Sequence, residues 1–275
     1  MPNSLPISCP GNDAASGTTA FYRHVLEILN AAGTPYLVGG AYALNRYTGI
    51  NRQTRDLDLF IRRRDVEQIR TVLQDAGYNT ELTFPHWLAK IHLDGAYIDL
   101  IFSSGNGIAE VDDAWFEYAN EAPVLGVPTK ICPPEEIIWS KAFIMERERY
   151  DGADIIHLLH ACGDRLDWQR LFRRFDAHWR ILLSHLILFG FVYPSRRALI
   201  PPAIMEELLN RLRNEIHSTA PQHDVCLGTL LSREQYLNDV GQQGLQDARI
   251  APVGNMSIDE IAIWTQAIPP EHNKD

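Results

Sequence analysis

The chain has few cysteines and uses them without pattern. Cys9, Cys132, Cys162 and Cys226 are scattered over 275 residues, with neither metal-ligand nor redox spacing. This excludes a disulfide scaffold and a zinc ribbon and predicts free thiols in a reducing compartment. Lysine is scarce too, with four among 25 basic residues. Long apolar runs are missing. The most hydrophobic stretch, "ILLSHLILFGFVYP" (181–194), is shorter than a membrane span and carries Ser184 and His185, so it reads as a buried helix. The start, "MPNSLPISCPGNDAASGTT", has no basic or apolar region of the kind a secretory signal needs, and reads as a flexible lead over 1–18. There is no internal repeat and no long low-complexity tract. Together these absences predict a cytoplasmic protein with no membrane partner.

Positive charge is also short. The formal net charge is −10 and the pI near 5.4, which opposes tight non-specific binding to polyanions. The balance is uneven. Nine arginines face five acids between Asp164 and Arg213, whereas nine acids face three bases from Asn214 to Asp275. The first stretch is either a local basic patch or a charge-patterned solvated surface. A hydrophobic content of 45% is enough for one large domain or two modest ones.

The first half alternates strands and helices. "TTAFYRHVLEILNAAG" has helical spacing and stops at Gly33. "TPYLVGG" is a buried strand running into a glycine turn, "AYALNRY" a helix and "DLDLFIR" a second strand. "RDVEQIRTVLQDAG" is an amphipathic helix with Asp65 as its N-cap and Gly77 as its stop. "YNTELTF" and "HWLAKIHL" are strands, and Asp94-Gly95 predicts a hairpin returning through "AYIDLIF". "VDDAWFEYAN" is a short helix and "APVLGVP" a strand. After Pro128 the character turns helical: "PPEEIIWSKAFIMERERY", "DGADIIHLLHAC", "DWQRLFRRFDAHW", "RILLSHLILFGFV" and "PPAIMEELLNRLRNEI". The tail is polar until "SIDEIAIWTQA", where Ser257 and Glu260 have capping-box spacing. The expected organisation is a core over 19–127, a helical region over 128–213 and a polar C-terminal segment over 214–275. The fold class is α/β: a small mixed sheet flanked by helices, followed by an α-helical C-terminal region.

Asp56 and Asp58 interrupt an apolar strand. Alternation puts both on one face and Leu57 and Leu59 on the other. Two adjacent carboxylates repel each other, and Asp99 lies in a strand of the same texture. If these strands are neighbours, three carboxylates converge at one rim. Unpaired, the cluster would raise its pKa values and destabilise the fold. A hard divalent cation reverses that, because carboxylate oxygens are what Mg2+ prefers. Gly39-Gly40, between a strand and a helix, would let a polyphosphate approach the backbone beside a helix start.

Gly39-Gly40, then Asp56-Leu57-Asp58-Leu59, then Asp99 in a later strand resemble the nucleotidyltransferase superfamily typified by DNA polymerase beta. "VGGAYALNRYTGINRQTRDLDLFI" is similar to its minimal bacterial members, including abortive-infection-type toxins. The likeness covers roughly 21–162. It implies two Mg2+ ions held by Asp56, Asp58 and Asp99, with Asp99 helping to activate an acceptor hydroxyl, and an NTP as co-substrate. Fifteen residues separate Gly40 from Asp56, slightly more than is usual in the family. In the longer loop, Arg52, Thr54 and Arg55 would contact phosphate or form a solvated surface. The toxin-like branch places a lysine and an acid after the sheet. "SKAFIMERERYDGADIIHLL" resembles that element, with Lys141, Arg147, Asp151 and Asp154 as candidates. One helix would put Lys141 and Met145 on one face, and Asp151 and Asp154 one turn apart. Lys141 would neutralise charge on the triphosphate, with a structural ion pair as the alternative.

Other features have plainer readings. Arg147 and Arg149 suit surface pairs with Glu146 and Glu148. His157 and His160, near Asp154, suit a half-buried helix rather than a metal face. "RLFRRF" (170–175) suits an amphipathic helix with Leu171, Phe172 and Phe175 inward. Trp87, Trp115, Trp139, Trp168 and Trp179 suit a core or interface. The expected activity is NMP transfer to an acceptor hydroxyl on tRNA, protein or a small molecule, with pyrophosphate release. The alternatives are a non-catalytic nucleotide sensor, half of a toxin–antitoxin-type pair with an antitoxin-like partner, or a structural adaptor.

Overall fold

The computed structural model describes residues 11–51, 54, 56–220 and 224–267. In chain order the first half comprises α1 (Gly11–Ala31), β1 (Leu37–Val38), α2 (Gly40–Thr48), β2 (Asp56–Phe60), α3 (Val66–Asp75), β3 (Asn79–Phe84), β4 (Leu88–Leu93) and β5 (Ala96–Ile101). Then come α4 (Asp113–Glu117), β6 (Asn120–Val124) and β7 (Val127–Ile131). The seven strands form one mixed sheet of order β3-β4-β5-β2-β1-β7-β6. β2 runs parallel to β5 and antiparallel to β1, and β1 runs parallel to β7. The predicted alternation on β2 holds: Leu57 and Leu59 are fully buried, while Asp56 and Asp58 face the other side. Asp94 and Gly95 both have positive φ (47° and 83°), as a tight β4–β5 hairpin requires.

Several elements differ from expectation. α1 begins at Gly11, within the stretch expected to be a lead. Asp65 precedes α3 but makes no capping bond, because its carboxylate pairs with Arg62 at 3.1 Å. "APVLGVP" is a hairpin rather than one strand, turning at Leu125 (φ 52°) and Gly126 (φ 81°) between β6 and β7.

The helical region holds α5 (Pro134–Lys141), α6 (Gly152–Cys162), α7 (Trp168–Phe175), α8 (Trp179–Val192) and α9 (Pro202–Ile216). The expected helix through Tyr150 stops at Lys141. The chain then makes a bridge between Met145 and Tyr150, closed by Glu146 N–H donating to Arg149 O at 2.8 Å. α7 is inward through Leu171 and Phe175, with Phe172 half-buried. Part of the basic stretch is paired within the fold, while Arg173, Arg196 and Arg197 are exposed. Arg170 is buried against Glu136 at 2.8 Å, Arg174 reaches Asp112 at 2.6 Å and Glu136 at 3.2 Å, and Arg180 pairs with Glu215. Trp168–Val192 is long and apolar enough, by length and composition, to cross a membrane. In the fold it turns at Asp176 (φ 36°). α8 is not buried all round: Leu182, Leu186 and Phe189 face inward, while Ile187, Val192 and Phe191 (81%) are exposed. Cys132, Cys162 and Cys226 are free and buried.

The rest of the described chain is β8 (Val225–Cys226), α10 (Leu237–Gly241), β9 (Gln246–Asp247) and α11 (Ile258–Gln266), with β8 parallel to β9. The Ser257–Glu260 capping box is formed.

Candidate active site

Register brings the carboxylates together. Asp58 on β2 lies directly across from Asp99 on β5, and Asp56 is two residues back on the same face. One oxygen from each of Asp56, Asp58 and Asp99 lies within 4.8 Å of the others. Among the described residues this is the only group of three or more side chains that could share a metal ion. His157 is not part of such a group. His160 instead packs on Tyr193, with ring centres 4.5 Å apart.

The glycine turn is built against this triad. Gly39 N–H donates to Asp58 O at 2.9 Å, tying the end of β1 to β2. Gly40 opens α2 with φ +52°, and a Cβ there would sit 1.7 Å from Asp58 Oδ2. A Cβ on Gly39 would meet the Phe60 ring at 2.2 Å. The bare backbone therefore first makes room for the protein's own carboxylate and ring.

The charges are poorly compensated. Burial pushes the Asp58 carboxyl up to about 7, helped by Asp56 and Asp99 and opposed by Lys141 and Arg149. Asp99 is also raised by burial, with the Lys90 ammonium at 2.8 Å pulling the other way. Thr54 donates its hydroxyl to the Asp56 carboxylate, so it orients a triad member from the cleft wall. Tyr22 and Tyr42 are raised by burial, and Asp56 adds to both. Three hard oxygen donors in one place, one with its ionisation suppressed for want of a counter-charge, suit a divalent cation. Arg52 and Arg55 lie outside the described residues.

Lys141 lines the same cleft. Its ammonium is held by Asp151 at 2.5 Å and Asp154 at 3.0 Å. Because α5 ends at Lys141, Met145 does not share its helix face. Arg149 pairs with Asp151 at 2.9 Å rather than with Glu146 or Glu148. Burial alone would raise Asp151, but bonds from Arg149 and Lys141 more than reverse that, to about 2. Arg147 is exposed and does not line the cleft. The cleft holds about 640 Å³ and is lined by the triad, Gly40, Lys141, Arg149, Asp151 and Asp154 among others.

Residues 22–124 match the family profile described as aminoglycoside-2''-adenylyltransferase. The core is that of a nucleotidyltransferase. No curated protein sequence matches the chain. Similar solved structures include the antibiotic-resistance factor ANT(2'')-Ia, at 17% identity and TM-score 0.44, covering 62% of this chain and 97% of that one. The lincosamide antibiotic adenylyltransferase LnuA follows at 16% and 0.36, covering 51% and 94%. The Megavirus polyadenylate synthase stands at 12% and 0.38, covering 78% and 58%. These likenesses are loose.

The nucleotidyltransferase core does not make the cleft alone. The segment after α9 returns across it and contributes Thr229, Leu230, Leu231, Ser232, Arg233 and Trp264. Asn106 donates to Leu230 O at 2.6 Å and Met145 N–H to Leu231 O at 3.1 Å. Glu146 accepts from the Ser232 hydroxyl at 2.5 Å and the Arg233 N–H at 3.1 Å. Trp264 on α11 is the far anchor, edge to face with Phe84 and Trp87 at 5.0 and 5.2 Å, with Arg233 over its ring at 4.7 Å. A Cβ on Gly105 would lie 2.6 Å from that indole, so the ring seats on bare backbone. Arg249, fully buried, clamps Asp247 at 2.6 Å within the same segment. Sequence reasoning missed Lys90, Ser232, Arg233 and Trp264. The available signals were a tryptophan on a well-capped amphipathic helix in an otherwise polar tail and, for Lys90, the Asp94-Gly95 turn that sets it opposite Asp99.

Proposed function

We propose that this nucleotidyltransferase moves a nucleoside monophosphate from an NTP, ATP by preference, to a hydroxyl of a small acceptor and releases pyrophosphate. The observation that carries the reading is the convergence of Asp56, Asp58 and Asp99 beside the Gly39-Gly40 turn. Two Mg2+ ions at these carboxylates would stabilise charge on the attacking and leaving oxygens. Asp56 and Asp58 hold the metals, with Asp56 oriented by Thr54. Asp99, on the β5 side away from the glycine turn, receives the acceptor hydroxyl's proton on its carboxylate. Gly39 and Gly40 leave backbone open to the β- and γ-phosphates, and Arg52 is a further phosphate contact from its loop. Lys141 offsets charge on the departing pyrophosphate, and Asp154 positions it. Catalysis of this type rests on positioning and charge.

The acceptor we favour is cationic. Apart from the three carboxylates assigned to metal, Glu146, Glu148, Asp151 and Asp154 line the cleft against Lys141, Arg149 and Arg233, four acids to three bases. The name of the matching family supports an amino-sugar acceptor, and the internal pairing of Arg170, Arg174 and Arg180 weighs against a tRNA. Asp99 favours turnover over a sensor or antitoxin-bound role, since holding a metal–nucleotide pair asks less than three carboxylates. An NTP-dependent activity of this kind fits the cytoplasm.

The test is transfer from each α-labelled NTP with Mg2+, offering aminoglycosides, total RNA and lysate protein, with Asp56→Ala/Asp58→Ala as control. Label on an aminoglycoside, absent in the control, is the expected result. Label on RNA or protein would replace the acceptor, and Mg2+-dependent NTP binding without any transfer would leave the sensor.

A further inference from the structure

Asp99 already has a cation. Lys90 stands across from it on β4, and the ammonium donates to Asp99 Oδ1 at 2.8 Å. Both side chains are largely shielded, at 22% and 15% exposure. The same ammonium lies 4.1 Å from the centre of the Tyr97 ring. Among the described residues, Asp99 is the only member of the triad in a salt bridge. The choice of lysine is informative in a chain with four lysines among 25 basic residues, two of which, Lys90 and Lys141, lie against carboxylates of this cleft. An arginine would grip the carboxylate through a planar two-pronged fork. A lysine holds it as a single point charge on a flexible stem and can let go.

We propose that Lys90 is a built-in counter-ion for the metal site. It neutralises Asp99 while no metal is bound, yields the carboxylate when a divalent cation arrives, and stays on the face of Tyr97, a cation–π partner that needs no carboxylate. Lys90 is thus a positioning residue acting through Asp99. Its charge limits how far the empty triad destabilises the fold and holds metal affinity below what three carboxylates alone would give. The inference rests on the reading above only in requiring a divalent metal at the triad.

The experiment titrates Mn2+ into the full chain without nucleotide, by calorimetry or by loss of the free-ion EPR signal, alongside thermal melts in EDTA. Lys90→Met keeps the stem and removes the charge. It should bind Mn2+ roughly ten-fold more tightly, equivalent to ~1.4 kcal/mol, and melt lower in EDTA, with the loss regained on adding Mn2+. Lys90→Arg keeps the charge but grips harder, and should bind Mn2+ more weakly than wild type. Lys90→Met binding Mn2+ no more tightly than wild type would overturn the proposal. Should that variant not fold, Lys90→Arg binding as tightly as wild type or tighter would do the same. Wild type showing no Mn2+ binding beyond Asp56→Ala/Asp58→Ala would overturn the metal site itself, which is a separate outcome from wild type and Lys90→Met binding alike.

Discussion

Asp58 is the residue under most strain. Its carboxyl titrates near 7 in the fold and near the ordinary aspartate value when unfolded. Between those values the folded state holds the extra proton, so metal-free stability falls as pH rises through this window and the full loss is present above about 7. A ten-fold difference in proton affinity between the folded and unfolded chain is worth about 1.4 kcal/mol, so the effect amounts to a few kcal/mol. Urea melts in EDTA should therefore show wild type less stable at pH 8 than at pH 6. Asp58→Asn should flatten that dependence, raise stability at pH 8 and abolish transfer. A wild-type curve that does not decline over this range would contradict the burial argument. Asp56 and Asp58 were legible from sequence because a strand's two-residue period puts both on one face. The Lys90–Asp99 pair is implicit in the Asp94-Gly95 hairpin, whose two-residue turn sets Lys90 opposite Asp99. That Asp99 meets Asp58 was not legible, because it depends on which strand lies on the other side of β5.

At the scale of elements, β2, β5, the β4–β5 hairpin and α6 follow from local pattern. α5 does not. Nothing in "KAFIMERERY" breaks a helix by propensity, yet the chain leaves the helix after Lys141. Tertiary bonds from Met145 to Leu231 and from Glu146 to Ser232 and Arg233 hold the hairpin form. α7 shows the converse. The amphipathic pattern of 170–175 places Leu171 and Phe175 inward, but it does not reveal that Arg170 is buried with them, where it neutralises Glu136, which has no exposed surface. Arg170→Ala would leave that carboxylate buried with Arg174 at 3.2 Å as its remaining partner, at a cost below the ~3–5 kcal/mol of a fully unpaired buried charge. The urea midpoint should fall accordingly, and an unchanged midpoint would show that the pair contributes nothing.

For the whole molecule, the C-terminal segment is a strap that walls a cleft built by residues far upstream. Its near end is held by bonds at 230–233 and its far end by the Trp264 seat. Trp264→Ala, and Gly105→Val by driving a side chain into the ring's place, should speed hydrogen exchange across 225–266 and leave the sheet strands protected. Exchange as slow as wild type in that segment would refute the anchoring. The strap gave little sequence signal because β8 and β9 are two residues each and its binding groups are spread between Ser232 and Trp264.

What the sequence by itself determined was local: the alternation that aims Asp56 and Asp58 together, the glycine pair, the hairpin at Asp94-Gly95 and the periodicity of most helices. These follow from short-range geometry, in which neighbours a few residues apart set the outcome. Only the tertiary structure decided that Asp99 faces Asp58, that Arg170 and Arg174 turn onto Glu136 and Asp112 and that the tail closes the cleft. Those are pairings between segments tens to more than a hundred residues apart, and no local pattern encodes which distant partner a side chain will meet.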